Sequence, residues 1–578
     1  MRKVALLSSA ISGVANPPSG PMTLKTAAHS LRVWVTRHRE VIWVLLILAI
    51  AGLAHGINMF NFPYYENDEG TYMSQAWSVI EQGRLAPYTY WYDHAPVGWI
   101  QIAAWSWLTG GFHTFETVVD SGRVLMLLMQ LASTFMVYRI ARNISGSMLV
   151  ATIASLAFAL SAYGIYFHRR VLLDNIATFW MLMSILPLVS GRLSLKRVWF
   201  SAFALAISIL SKEVIIFVLP VLAYLVFYRA HKMHRGIATI GWLAIIGFIV
   251  SLYVLMATLK NELFPMGTLL GGMSRHVSLL GTLQFQACRG KDGGILDFGS
   301  GFWTHTQSWV WEEPFLVIGG SIAALFAVLA IKRYRLAGIM GLASFSLWAF
   351  LGRGGEVIGF YLIPLLPLLA LNVGLIIGST ANWLNRCLRK YNYSGLVVGR
   401  GMQTVALVLG VGLAGLGYIA SDLGFQNNRY TLWNNGETEA QRQALDWVKE
   451  NLSPEDKIIT DNYLWTDLHD PKNNGKGFSG THYYWKVDQD PEIRDDVFDK
   501  DWRNADYVVS TFQMEHDARN NGLGLVSSAL THSTPITTFN TGGSEVAIRQ
   551  VNKNEAETEQ PTSEGDIYSP QKNCELST

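Results

Sequence analysis

Apolar blocks nearly as long as a lipid bilayer is thick set the first limit on this chain. "VIWVLLILAIAGLAHG" fills 41–56, "TVALVLGVGLAGLGYIA" fills 404–420, and a third run covers 361–380. A hydrocarbon core of about 30 Å takes about 20 apolar helical residues. Soluble domains carry about 25% charged residues, whereas here 15% are charged and 50% hydrophobic. The chain therefore reads as a polytopic α-helical membrane protein.

Lys and Arg cluster on the cytoplasmic side of short loops. The clusters fall at 32–39, Arg139/Arg142, Arg192/Lys196/Arg197, Arg229/Lys232/Arg235, Lys332/Arg333/Arg335 and Arg386/Arg389/Lys390/Arg400. With all of these inside, the expected spans are 40–60, 121–138, 148–167, 172–190, a pair within 198–228, 237–258, 314–331, 336–351, 357–378 and 401–420. That makes about eleven, an odd number, so the chain starts inside and ends outside. The pair within 198–228 is expected to turn at "SKE", with Lys212 at its apex. About 12–15 helical residues rise only about 18–22 Å, so two short helices meet just below the outer surface.

The expected organisation follows. Residues 1–39 form a cytoplasmic tail. Its opening, "MRKVALLSSAISGVANPP", imitates a signal peptide, but the apolar run is short and Lys25, Arg32, Arg37 and Arg39 follow. Residues 40–420 form the membrane domain, with outer loops 61–120 and 259–313 rich in Trp and suited to interfacial helices. Residues 421–551 read as a small extracytoplasmic α/β domain. Its helix is "TEAQRQALDWVKENL", with Ala444, Leu445, Val448 and Leu452 on one face, and its strands lie in "DKIITDNYLW", "ADYVVSTF" and "SEVAIRQV". Residues 552–578 are polar, acidic and expected to be disordered. No basic tract points to nucleic acid. Cys288, Cys387 and Cys574 are too few and too scattered for a disulfide framework or a zinc site.

This topology gathers ionisable residues at the outer face. Asp68 and Glu69 follow the first span in "YYENDEGTYM". His94 lies in "YDHAPVGW", Arg169, Arg170 and Asp174 in "HRRVLLDN", Lys212 at the hairpin apex, and Arg353 with Tyr361 in "GRGGEVIGFY". Ionisable groups at a membrane are costly and mark function. Acids beside bases suit a reaction in which one group takes a proton from a nucleophile and others hold an anionic leaving group such as phosphate.

"ENDEGTY", "YDHAPVGWI", "RRVLLDN", "LSKE" and "YLIPLLPLLAL", in that order over residues 40–380, resemble the protein O-mannosyltransferase and lipid A aminoarabinose transferase type of GT-C glycosyltransferase. The resemblance implies a GT-C membrane fold on the plasma membrane. It also implies a transfer from a polyprenyl-phosphate-linked sugar to a protein, lipid or glycan hydroxyl outside the cytoplasm, and a single displacement there is expected to invert the anomeric centre. By position, Asp68 matches the acid that deprotonates or orients the acceptor, Glu69 its neighbour and Asp174 the acid of the second outer loop. Lys212 and Arg353 match groups that hold the lipid phosphate, and Arg170 and Tyr361 join the expected substrate-binding set. His94 matches the histidine of a His-Pro-Pro motif that here reads His94-Ala95-Pro96. Asp68, Glu69 and Asp174 are of a type that ligates Mg²⁺ or Mn²⁺, but the resemblance implies no metal and no cofactor. A transporter or lipid flippase is the competing reading, and it calls for repeats or broken midplane helices that the sequence does not display. A non-catalytic relative is another.

Overall fold

The computed structural model describes residues 24–266, 277–288, 294–354, 357–390 and 431–554, with isolated positions between 401 and 412. The described residues up to 46 belong to one unit and those from 47 onward to another. The first contributes the start of helix α1 (Leu24–Gly56); all that follows concerns the second.

Helices dominate. After α1 come α2 (Asn67–Glu81), α3 (Val97–Thr109), α4 (Val118–Ser145), α5 (Met148–Ala159), α6 (Ala162–His168), α7 (Leu173–Val189), α8 (Leu195–Ser211), α9 (Leu219–Arg229) and α10 (Arg235–Leu259). Then follow α11 (Leu279–Cys288), α12 (Gly301–Glu312), α13 (Ser321–Leu329), α14 (Arg335–Leu351) and α15 (Leu366–Lys390). A helix apolar all round belongs inside a bundle or in lipid, and both cases occur. Helix α5 is buried continuously from Val150 to Ala159. It packs on α15 at Gly374 and Gly378, where an added Cβ would lie 2.6 Å from Ala154 Cβ and 2.5 Å from Val150 Cγ2. This small-xxx-small spacing lets two backbones approach within a membrane. Helix α10 instead turns Ile237, Ile240, Phe248 and Leu259 outward, a surface suited to lipid.

Among the described residues, four helical segments are long and apolar enough to cross a membrane: His38–Gly56, Val118–Ser145, Lys232–Leu259 and Gly359–Leu384. Counting two bent pairs, α5 with α6 and α12 with Phe315–Leu329, gives up to six. Of the other expected spans, α7, α8 and α14 have 17 residues and α9 has 11. Those lengths rise about 26 Å and about 17 Å. The span expected at 401–420 lies largely outside the described residues. Helix α8 stops at Lys212, whose φ of −154° and ψ of 119° are extended, and a 3₁₀ turn (Glu213–Val218) leads into α9. Helix α12 meets the helix after it at 110°.

Residues 431–554 carry the sheet. Strands β1 (Ile458–Thr460), β2 (Thr481–Tyr483), β3 (Tyr507–Thr511), β4 (Ser533–Thr541) and β5 (Ser544–Val551) run in the order β2-β1-β3-β5-β4. β1 is parallel to β2 and β3, while β5 is antiparallel to β3 and β4. Helices α16 (Thr438–Asn451), α17 (Asn462–His469), α18 (Tyr484–Gln489), α19 (Phe512–Asn520) and α20 (Gly524–Thr531) cover it. Ile459, Tyr484, Val487, Phe498, Val508, Met514 and Val526 form a core there. Ala444, Leu445 and Val448 are the buried face of α16, and Leu452 follows it.

This α/β part sits on the loop 61–120. Glu437 accepts from Tyr64 N–H at 3.0 Å, and Gln441 exchanges two bonds with the Tyr65 backbone at 2.7 and 2.8 Å. Asp467 caps the start of α4 through Val118 N–H at 3.1 Å, and Asp470 accepts from Trp77 Nε1 at 2.9 Å. Helices α2 and α17 touch at Gly70, where an added Cβ would lie 2.2 Å from the Asn462 carbonyl carbon. Only glycine permits that approach.

Candidate active site

The two neighbouring acids of the opening motif go to different places. Glu66 is the residue before α2, so Glu69 stands at the third helical position, where a glutamate folds back on the cap. Its Oε2 accepts Glu66 N–H at 3.1 Å. Arg123 of α4 grips both oxygens, at 3.0 and 2.8 Å, and Val171 N–H donates to Oε1 at 2.9 Å. Four donors therefore bind a fully buried carboxylate, and Glu69 does not line the cavity described next. The expected catalytic place for Glu69 is corrected: it locks α2 to α4 and to the entry of α7. Asp68, one residue earlier, is half-buried and turned into the cavity, with the Tyr72 hydroxyl 3.4 Å away.

The cavity holds about 840 Å³. One wall is the face of α2 that repeats Asp68, Tyr72 and Gln75. Others come from 86–99, from Lys212, from Phe360 and Tyr361, and from the α/β part. At the end marked by Lys212, four ionisable groups form a chain. Asp174 Oδ2 lies 3.3 Å from Lys212 Nζ, Lys212 Nζ lies 3.2 Å from His94 Nε2, and His94 Nδ1 lies 3.0 Å from Glu213 Oε2. An ammonium only donates, so His94 Nε2 accepts, and its proton sits on Nδ1 facing Glu213. Glu213 Oε1 accepts Ala95 N–H at 2.6 Å. A proline there has no N–H to give, so the departure from His-Pro-Pro supplies a donor. Asp174 stands in the first turn of α7, where the helix dipole favours a carboxylate. The rings of Phe360 and Tyr361 lie 5.3 and 5.5 Å from Lys212 Nζ.

Comparison with solved structures was made on this geometry. No protein-family model and no curated protein matches the chain. A crystal structure of ArnT from Cupriavidus metallidurans bound to undecaprenyl phosphate aligns over 89% of this chain and 99% of its own, with TM-score 0.54 and 13% identity. The same protein in the apo state gives 0.55 and 15% over 88% and 98%. The archaeal oligosaccharyltransferase AglB from Archaeoglobus fulgidus, in complex with an inhibitory peptide and a dolichol-phosphate, gives 0.53 and 11% over 91% and 76%.

The chain has the GT-C fold.

Within that GT-C fold, Asp68, His94, Lys212 and Tyr361 line one cavity, and Asp174 backs Lys212. Arg170 stands behind the wall. It pairs with Glu66, donates to the Tyr166 hydroxyl at 2.8 Å and stacks on Tyr64 and Tyr166, each at 4.6 Å. Burial pushes the Glu66 carboxyl up to about 6, against the pull of Arg170. Arg169 is also buried and donates to the carbonyls of Ala54, His55, Ile57 and Phe62, which end α1 and the turn after it. Arg353 is not part of the cavity wall. It lies over the Phe350 ring at 4.0 Å and donates to Phe350 O at 2.9 Å. Glu356, beside it in sequence, lies outside the described residues.

Sequence reasoning missed Tyr72, the His94–Glu213 pairing and the whole α/β wall of the cavity. Glu213 had a readable signal, because an acid next to Lys212 has to find its own partner. Among the described residues no group of three His, Cys, Asp or Glu side chains is arranged to hold a metal ion.

Proposed function

We propose that the protein is an integral membrane glycosyltransferase. It moves a sugar from a polyprenyl-phosphate donor to an acceptor hydroxyl, on the extracytoplasmic face of the plasma membrane. The observation that carries this reading is the shared cavity: the Asp68 carboxylate faces it, and the Lys212 ammonium, fixed by Asp174 and His94, lines it too. The fold supports the donor class, since the ArnT structure is described with undecaprenyl phosphate and the AglB structure with a dolichol-phosphate.

In this mechanism the donor's phosphate sits against Lys212, with its lipid tail running down between apolar helices. The acceptor hydroxyl enters from the α/β side. Asp68 takes the hydroxyl proton as the oxygen attacks the anomeric carbon. The bond from that carbon to the phosphate oxygen breaks, and the electron pair leaves on the phosphate. Lys212 holds the charge as it develops. One displacement from the face opposite the phosphate inverts the anomeric centre. Tyr72 orients Asp68, and Glu213 holds His94 in the tautomer that receives a Lys212 proton.

The test is transfer by purified protein from polyprenyl-phosphate-linked sugars, wild type against Asp68→Asn. Loss of a positioned base is expected to lower the rate by about 10²–10⁴-fold. Unchanged transfer by Asp68→Asn removes Asp68 from the role of base. Absence of transfer by the wild type with every such donor favours a transporter or a non-catalytic relative.

A further inference from the structure

The backbone of His94 is gripped from outside the cavity. The Tyr90 hydroxyl donates to the His94 carbonyl at 2.5 Å. That spends the Tyr90 proton, so the Tyr253 hydroxyl, 3.0 Å from that of Tyr90, is the donor between the two. The same Tyr253 hydroxyl lies 3.3 Å from the His94 carbonyl oxygen and 3.5 Å from that of Tyr92. One proton thus faces three acceptors, all within the segment Tyr90–His94.

Tyr253 reaches them from α10. That helix buries Trp242, Ile246 and Ala257, and Tyr253 falls in phase with them, seven residues after Ile246 and four before Ala257. The other hydroxyls of α10, on Thr239, Ser251 and Thr258, donate back to carbonyls of their own helix. That of Tyr253 leaves it.

The chain after α10 holds the same segment twice more. Glu262 accepts from the Tyr92 hydroxyl, and Thr282 of α11 donates to the Trp91 carbonyl at 2.7 Å. Leu279 N–H to Glu262 O, at 2.8 Å, and Leu280 N–H to Leu263 O, at 3.1 Å, tie these two supports together. Tyr92 has a φ of 61°, a left-handed backbone that a bulky residue keeps only where its surroundings impose it. Its ring shares one apolar cluster with Ala257 and Leu279, so the same elements impose it. At the end of the segment the His94 side chain meets Lys212 and Glu213. Tyr253, Glu262 and Thr282 do not line the cavity, and they act on it through this segment.

We propose that Tyr253 is a positioning residue for the transfer. Its hydroxyl, with that of Tyr90, fixes the His94 backbone and so the distance at which His94 meets Lys212. This rests on the glycosyl-transfer reading and adds to it a residue outside the cavity. In Tyr253→Phe the ring stays and the proton goes. His94 then recedes, Lys212 turns wholly to Asp174, and the N–H kept for the phosphate loses its direction.

The test uses the full chain in lipid nanodiscs and has two readouts. The first is acylation of histidines by diethyl pyrocarbonate, read by mass spectrometry. The His94 side chain is 23% exposed, so the reagent reaches it. Its labelling is expected to be about three- to tenfold faster in Tyr253→Phe than in wild type, the scale of one hydrogen bond. His482, buried in the α/β part, stays protected in both. Ser251→Ala, on the exposed side of α10, labels as wild type does. The second readout is transfer from a polyprenyl-phosphate-linked sugar. Tyr253→Phe is expected to lower kcat about tenfold, less than the loss of about 100-fold from a misplacement of about 1 Å. In a His94→Ala background the same substitution costs nothing more, because the two residues act as one unit. Equal His94 labelling in wild type and Tyr253→Phe overturns the proposal. So does a rise that His482 shares, because the fold has then loosened as a whole. A tenfold loss that persists in the His94→Ala background overturns it too, and where His94→Ala is itself inactive the labelling decides. If wild type transfers from no donor, the transfer reading falls and the catalytic role with it, while faster His94 labelling still shows the hold of Tyr253 on the segment.

Discussion

Asp174 Oδ2 and Lys212 Nζ lie 3.3 Å apart, both buried. A lone ammonium would be costly there, and a fully neutralised pair would have no hold on a phosphate. Lys212 gives one N–H to His94 and one side to Asp174, and keeps a further N–H for a phosphate. Asp174 is thus a positioning residue for the cation. Asp174→Asn is expected to lower kcat by about 100-fold, the cost of a misplacement of about 1 Å. KM for the donor should change far less, because the ammonium remains. A steady-state split in the opposite sense, with KM raised and kcat intact, contradicts the assignment.

Ala95 donates its N–H to Glu213, which fixes His94. Ala95→Pro removes that donor, and Ala95→Gly keeps it. The proline variant is expected to bind undecaprenyl phosphate about 10–100-fold more weakly, the scale of one hydrogen bond to a charged group. The glycine variant should bind as wild type does. Calorimetric titration of both separates the lost N–H from mere change of side chain.

Glu69 and Arg123 form a pair with no solvent exposure. Removing one partner strands a buried charge at a cost of about 3–5 kcal/mol. Glu69→Gln and Arg123→Met should each lower the thermal unfolding midpoint sharply. The double variant Glu69→Gln/Arg123→Met should lose less than the two single effects summed. Strict additivity in a thermal-shift series rules out this coupling.

Asp461 and Asp467, both in the α/β part, are pushed from 3.8 to about 7 by burial. Their protonated forms are favoured in the folded state, so between about pH 4 and 7 the folded chain binds more protons than the unfolded one. Their contribution to stability is complete below about pH 4 and is lost as pH rises towards 7. Asp467→Asn, which keeps an acceptor for Val118 N–H, should flatten the fall in unfolding midpoint between pH 4.5 and 7.5. A slope identical to wild type removes Asp467 from this linkage.

The membrane character was legible because continuous apolar runs need no partner to be recognised. The lengths and bends of the helices were not. Basic clusters report which side a loop lies on, but not that α9 has only 11 residues or that α12 meets the next helix at 110°. Asp68 and Glu69 looked alike because they are adjacent acids. Their fates differ by one step of helical phase, and the signal was present in Glu66 and Glu69, three apart at a helix start. In the α/β part, β5 stood out through "SEVAIRQV", whereas β2 has three residues and β4, "STPITTFNT", presents a mostly exposed face. Within "DKIITDNYLW" only Ile458–Thr460 is strand, because Asp461 caps a helix through Asn462 N–H. Lys486 and Gln513 were silent because they reach the cavity from about 400 positions away in sequence.

The most direct measurement is a cryo-EM map of the full chain with a polyprenyl-phosphate-linked sugar bound. The account predicts phosphate density in hydrogen-bond reach of Lys212 Nζ, with the anomeric carbon facing Asp68 across a gap of about 3–3.5 Å that one acceptor oxygen fills. Phosphate density elsewhere in the molecule, or a sugar turned away from Asp68, contradicts it.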